Sequence, residues 1–258
     1  MIENGWLLAL GGLGAGLLSG LLGIGGGTVL VPLLIFLGYI YDEAVATSSL
    51  AIILTSSSGT VQNWRMGYLK VQQVLYLALP AILTAQLGAY LVEQLPDHIK
   101  EAAFGVLLLV TIFLVALKKR LRDRTPDSLS APTHPILARL GTGSAAGLLA
   151  GLFGVGGGVI MVPLQMLLLS EPIKMAIQTS LGVIVITSIS ATAGHAYHGN
   201  VLWLPGILLG IGGILGAQVS TRYLPKLPDK LVDFCFRTLL AILVVYFFWR
   251  AWQSYQGM

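Results

Sequence analysis

The sequence predicts an all-α integral membrane protein built from two inverted-topology repeats. Each repeat is a re-entrant or broken helical hairpin followed by three spanning helices. Three observations predict this: long uncharged apolar runs, an internal repeat over nearly the whole chain, and loop charges of opposite bias in the two halves. Of 258 residues, 55% are hydrophobic and 10% charged, with a mean hydropathy of +0.83. Soluble domains carry roughly 25% charged residues. No Asp, Glu, Lys or Arg lies between Glu3 and Asp42, between Glu43 and Arg65, or between Lys70 and Glu93. The same holds between Arg139 and Glu171. Between Lys174 and Arg222 the ionisable side chains besides Tyr are His195 and His198. A spanning helix needs about 20 apolar residues, and these runs meet that length repeatedly. The roughly 10-residue alternating segments of spanning strands are absent.

The repeat is read directly from the residues. Gly16–Pro32 aligns with Gly147–Pro163 at an offset of 131, with 11 of 17 positions identical. Ser49-Leu50 is paired with Ser180-Leu181, after which one inserted residue moves the offset to 132. Ala85-Gln86 then falls on Ala217-Gln218, Leu95-Pro96-Asp97 on Leu227-Pro228-Asp229, and Phe104 on Phe236. The chain divides into a first transmembrane repeat (1–117), a basic linker (118–138) and a second transmembrane repeat (139–258). Hydrophobic segments fall at 5–40, 44–63, 71–93 and 98–117, then at 139–169, 174–194, 201–222 and 230–249. The Leu-Pro-Asp triplets read as helix starts, with Asp97 and Asp229 placed to cap and with Glu101 and Asp233 following in the first turn, where the helix dipole favours acid.

The first segment of each half is unusual. Its 38 uncharged residues would reach about 57 Å as one helix, against a bilayer core of about 30 Å. Gly-x-Gly-Gly-Gly interrupts it and a proline follows. The economical reading is two short helices joined at the glycines, entering and leaving on one side. Loop charges give the orientation. Arg65 and Lys70 put the loop after the second segment inside, and Glu93 and Asp97 put the next one outside. The segment from Lys118 to Arg139 carries six basic and two acidic residues, which is the whole of the net +4, and is cytoplasmic. In the second half, Arg222, Lys226 and Lys230 place the loop after the third segment inside, so the loop with His195 and His198 is outside. Equivalent loops then face opposite sides, which requires an odd number of crossings per half. Both termini would lie outside. The early charge Glu3 and the long first apolar stretch do not read as a cleavable signal. Trp6, Trp64, Trp203, Trp249 and Trp252 suit interfacial belts. One cysteine, Cys235, excludes an intrachain disulfide framework and a multi-cysteine metal site, and reads as an inert buried thiol.

Inverted repeats with broken helices are characteristic of secondary transporters. The glycine tips, with Gly25, Gly26 and Gly27 in one half and Gly156, Gly157 and Gly158 in the other, leave backbone N–H groups uncovered at the start of a second short helix. Such helix N-termini attract anions. The ridges Gly12/Gly16/Gly20 and Gly143/Gly147/Gly151 read instead as helix-packing surfaces. Hydroxyls cluster on the next helix: Thr47, Ser48 and Ser49 against Thr179 and Ser180, then Ser56–Ser58 against Thr187 and Ser188. The matched pair Ser49 and Ser180 is the stronger ligand candidate, because neutral donors can hold an anion without a full charge in the membrane. Gln86 and Gln218 match across the repeat, as interhelix glue or as substrate contacts. Asn63 falls opposite His195, which is either an interfacial histidine or a proton relay. No Asp, Glu, Lys or Arg is expected deep in a span. No nucleotide-binding loop is present, since the glycines lack a Gly-Lys-[Ser/Thr] ending.

The motif Gly-Leu-Leu-x-Gly-Leu-x-Gly-x-Gly-Gly-Gly, followed five residues later by Pro and repeated after a basic linker, is similar to that of the sulfite exporter TauE/SafE family. The resemblance covers essentially the full chain. It implies transport of small sulfur-containing anions such as sulfite, thiosulfate or organosulfonates across a bacterial inner membrane, and it carries over Gly25–Gly27 with Pro32 and Gly156–Gly158 with Pro163. The expected protein is a permease, not an enzyme, with substrate between the tips and no cofactor. Export is favoured, because an anion leaving an inside-negative cell gains about 2.3 kcal/mol per 100 mV. An anion channel of the same fold and a proton-coupled importer using His195 are the alternatives. An intramembrane serine protease using Ser58-Gly59 with His195 leaves the duplicated site unexplained. Expected partners are the sulfur anion and the lipid bilayer, with no nucleic acid; a homodimer is one assembly open to the chain.

Overall fold

The computed structural model describes residues 5–124 and 135–256. Among these residues the secondary structure is helical, with no strand. The first half contains α1 (Gly5–Leu22), α2 (Gly27–Phe36), α3 (Tyr41–Arg65), α4 (Val71–Val92) and α5 (Asp97–Arg124). The second contains α6 (Pro135–Phe153), α7 (Gly158–Leu168), α8 (Ile173–Tyr197), α9 (Trp203–Tyr223) and α10 (Asp229–Gln256). A short 3-10 turn, Leu224–Lys226, follows α9. Eight helices, all but α2 and α7, are long and apolar enough to cross a membrane. Large apolar side chains such as Leu83, Phe113 and Val245 face outward, as a lipid-facing surface requires. All five tryptophans are exposed. The 118–138 linker lies partly outside the described residues.

Contacts fix the helix directions. On α1, Gly12 faces Leu209, Gly16 faces Gly213 and Gly20 faces Ser220, so α1 and α9 run the same way. Leu50 meets Gly206 and Leu54 meets Gly210, so α3 runs with them. In the same manner α6 and α8 run with α4, through Gly143 on Leu77, Gly147 on Ala81, Gly182 on Val74 and Gly194 on Ala89. The α3–α8 pair is antiparallel. Thr47 near the start of α3 accepts the N–H of Leu202, beyond the end of α8. Lys70, beyond the end of α3, reaches Met175 near the start of α8. Each half thus lends its first helix to the other half's α9 or α4. The span windows of α3 and α8 are the most buried, at 67% and 72%, against 28% for α10, so these two helices form the centre.

Close backbone approach makes this packing work. A Cβ at Gly16 would lie 2.8 Å from the Gly213 Cα, and one at Gly212 would lie 2.8 Å from the Leu13 nitrogen. On the other side, a Cβ at Gly88 would lie 2.9 Å from the Leu152 nitrogen. The glycine ridges are therefore packing surfaces, as the sequence predicts. Between helices in lipid, such van der Waals contact replaces the missing hydrophobic drive. An aromatic cluster of Phe104, Phe153 and Phe247, with centroids 4.4 and 5.0 Å from Phe104, seats α5 and α10.

Several expectations change. The hairpin's first arm is not short: α1 has 18 residues and α6 has 19, against 10 and 11 for α2 and α7. The ridge on each first arm finds a full-length partner helix, which supports the longer helix. Pro32 and Pro163 lie inside α2 and α7, where each removes one backbone donor. Cys235 is exposed, because α10 is peripheral and turns that face outward. Charge is also nearer the core than expected. Lys100 is 3% exposed on α5, bonded to Asp42 at 2.6 Å and Asp97 at 3.1 Å. Glu101, 1% exposed, meets Arg250 at 3.2 Å and Ser254 at 2.6 Å. Both sit near the start of α5, where pairing offsets the cost of burial. Asp97 and Asp229 are the first helical residues rather than caps.

Gly16→Ala is expected to destabilise the fold by about 1–3 kcal/mol, the usual cost of overpacking. Gly14→Ala, where a Cβ would meet nothing within 4 Å, should leave it unchanged. Thermal unfolding of both variants in detergent measures the difference.

Candidate functional site

Each first arm ends on a glycine whose N–H still bonds back into the helix: Gly23 to Ser19 at 2.8 Å, and Gly154 to Ala150 at 3.0 Å. The chain then takes left-handed backbone at Gly23, Gly25 and Gly26 (φ 67°, 78° and 86°), and at Gly154, Gly156 and Gly157 (φ 61°, 75° and 75°). Side chains with a Cβ rarely adopt that conformation, so the glycines are required by the backbone path. Gly26 and Gly157 precede α2 and α7 and supply no side-chain cap. The N–H groups of Gly27, Thr28, Gly158 and Val159 donate no hydrogen bond among the described residues. All four residues are buried. A helix N-terminus carries a partial positive charge and orphan donors, and leaving them unpaired at membrane depth is costly.

The two tips meet. A Cβ on Gly27 would collide with the Gly154 carbonyl oxygen and lie 2.6 Å from Val155 Cα. One on Gly158 would collide with the Gly23 carbonyl oxygen and lie 2.9 Å from Ile24 Cα. Ile52 and Ile184, each near the middle of a 25-residue helix, close over Gly25 and Gly156. The tips therefore sit at the mid-depth of α3 and α8.

Two hydroxyls tie each tip to the opposite half. Ser180 Oγ lies 2.8 Å from the Gly23 carbonyl oxygen, and Ser48 Oγ lies 2.8 Å from that of Gly154. This corrects the sequence pairing of Ser49 with Ser180. Ser48 is the structural counterpart of Ser180, so the inserted residue falls before α8, where α7 is one residue longer than α2. Ser49 bonds only Val45 of its own helix, at 2.9 Å. Thr47 holds the N–H of Leu202 at 3.1 Å, away from the tips. Thr179 is buried, and its Oγ1 has no partner among the described residues.

The glutamines do not reach the tips. Gln86 donates to the carbonyl of Ser190, and Gln218 to that of Ser58 at 3.2 Å. Ser190 and Ser58 answer by bonding Ile82 and Ile214 at 2.8 and 2.9 Å. Both glutamines are thus interhelix ties, α4 to α8 and α9 to α3. Gln86 also borders an open cavity of about 480 Å³, which Tyr90, Gly194, Tyr197 and His198 help to line and which no tip residue reaches. His195 is fully buried rather than interfacial, because it faces inward to α6 and its Nε2–H donates to the Gly151 carbonyl at 3.1 Å. His198, one turn on, is the surface histidine and pairs with Glu93 at 2.8 Å. Asn63 is fully buried, and both its amide atoms lack a partner among the described residues. Sequence reasoning missed Thr28, a buried, unpartnered hydroxyl in the first turn of α2. The available signal was its place immediately after the glycine triplet, where the other half has Val159.

Eight span-length helices enclosing a pair of broken ones define a multi-pass membrane protein. The chain belongs to the sulfite exporter TauE/SafE family, whose model matches residues 8–247. It is 30% identical to the probable membrane transporter protein YunE of Bacillus subtilis, over 92% of this chain and 94% of that one. A probable membrane transporter protein of Xylella fastidiosa is 25% identical over 95% and 94% of the two chains. One of Methanocaldococcus jannaschii is 24% identical over 92% of each. The protein is a membrane transporter and not an enzyme.

Ser48→Ala and Ser180→Ala should each lose about 0.6–1.5 kcal/mol, the worth of one interhelical hydrogen bond. Ser49→Ala should lose little. Comparing the three unfolding midpoints checks the corrected pairing.

Proposed function

We propose that the chain is a permease for a small sulfur-containing anion such as sulfite, thiosulfate or an organosulfonate, exporting it across a bacterial inner membrane. The observation that carries this reading is the meeting of two buried, uncapped helix N-termini, α2 and α7. Their free N–H groups, with the Thr28 hydroxyl, form a neutral set of donors at mid-depth, while Ser48 and Ser180 hold the carbonyls of Gly154 and Gly23 in place. An anion can be held there without a lysine or arginine in the span. The tips touch in this structure, so the substrate enters as they part. In this reading the two halves lie inverted in the membrane, and the antiparallel course of α3 and α8 supports that. The basic linker then faces the cytoplasm and both termini face outside. The tips would exchange access by rocking one helix group against the other.

Export needs no coupling ion, since the membrane potential drives an anion outward. Sulfite flux from reconstituted vesicles should rise with an imposed inside-negative voltage and show counterflow. Voltage-independent flux would refute uncoupled export, and flux without counterflow would identify a channel. Thr28→Val, which copies the residue of the other half, should raise the apparent KM about tenfold, equivalent to losing one hydrogen bond to an ion of about 1.4 kcal/mol. An unchanged KM removes Thr28 from the site.

A further inference from the structure

The glycine tips leave a question of access, and the central helices carry the features that answer it. On α3, Ser56, Thr60 and Asn63 lie at i, i+4 and i+7, so they share one face. At the matching positions on α8 stand Ser188, Thr192 and His195. Ser56, Asn63, Ser188 and His195 are at most 1% exposed, and Thr192 is 6% exposed. In each of the six residues at least one buried polar atom has no hydrogen-bond partner among the described residues: the Oγ of Ser56 and Ser188, the Oγ1 of Thr60 and Thr192, both Asn63 amide atoms, and His195 Nδ1. An unsatisfied buried polar group costs about 1–3 kcal/mol. Such groups in a native protein call for a functional explanation, and here they recur position by position across two halves of different sequence. A merely structural role would have paired them, as it pairs Thr55 with Ala51 on the same helix at 3.0 Å.

Position says what they serve. Each stripe starts one turn beyond Ile52 or Ile184, the residues that close over Gly25 and Gly156. Because α3 and α8 are antiparallel, the stripes lead away from the tips toward opposite membrane faces. The geometry points to two half-pathways for a small oxyanion, the α3 stripe serving one face and the α8 stripe the other, both closed in this conformation. This rests on the permease reading and adds the route to its site. The lining is neutral, with hydroxyl and amide donors that replace part of the anion's hydration. It is also asymmetric, since Asn63 can offer two donors where neutral His195, its Nε2–H committed to Gly151, offers a bare acceptor.

Single cysteines at these positions test it, in a Cys235→Ala background. Ser56→Cys, Thr60→Cys, Ser188→Cys and Thr192→Cys are made in vesicles of both orientations. Each is treated with a membrane-impermeant methanethiosulfonate reagent, either the sulfonate or the trimethylammonium form. The α3 cysteines should react from one side only and the α8 cysteines from the other side only. The sulfonate form should react faster, modification should block flux, and an alkylsulfonate, which unlike sulfite does not consume the reagent, should slow the labelling. Lipid-facing Leu83→Cys should stay unreactive. Reaction of both stripes from one face, or no reaction in folded protein that still transports sulfite, overturns the pathways and leaves the permease standing. Opposite-sided labelling that the alkylsulfonate does not slow upholds the pathways and rejects organosulfonates as the cargo. Ser56→Cys and Ser188→Cys exchange only oxygen for sulfur, so these two decide the matter if bulkier replacements fail to fold.

Discussion

The structure depends on backbone meeting backbone without an intervening Cβ. Lipid removes the hydrophobic drive between helices, so their association rests on close contact and on hydrogen bonds. The α1–α9 and α6–α4 seams achieve this along glycine ridges, and the two broken tips achieve it against one another. At the tips the same constraint has a chemical consequence. The carbonyls of Gly23 and Gly154 receive the hydroxyls of Ser180 and Ser48, so one acceptor at each break is satisfied. The N–H groups opening α2 and α7 find no acceptor among the described residues. The centre of the protein thus holds free donors.

Charge is arranged to leave that centre neutral. Lys100 and Glu101, buried near the start of α5, are paired with Asp42, Asp97 and Arg250. Among the described residues, no Asp, Glu, Lys or Arg is in contact with the tip glycines. An anion binding there would meet dipoles rather than a fixed counter-charge, which limits how tightly it is held and favours release. Weak, multi-point holding by neutral donors suits a transporter better than a lysine would.

The duplicated frame and the individual side chains follow different rules. Frame positions match in both halves: the left-handed glycines, the Ser48 and Ser180 ties, and the Gln86 and Gln218 ties. Two of the interior positions where the halves differ are Thr28 against Val159 and Asn63 against His195. Structural demands hold the frame alike, because each seam needs the same close approach.

Much of this was legible in the residues. Uncharged runs gave the membrane class, self-similarity gave the two halves, and Gly-x-Gly-Gly-Gly marked the breaks, because helix interiors exclude such a run. The packing role of the Gly12/Gly16/Gly20 and Gly143/Gly147/Gly151 ridges was also readable from their spacing. The identity of the tie at each tip was not. Aligning Ser49 with Ser180 was the natural choice from letters alone, since a single inserted residue leaves no mark of where it falls; only the contact of Ser48 with Gly154 locates it. The length of α1, the burial of His195 and the exchange of first helices between halves were equally out of reach, because each depends on which distant helix lies alongside. By itself the sequence determined the elements, their breaks and their medium, all of which follow from local composition and period. Tertiary structure alone decided which groups found partners and which were left free, because that depends on distances between residues far apart in the chain.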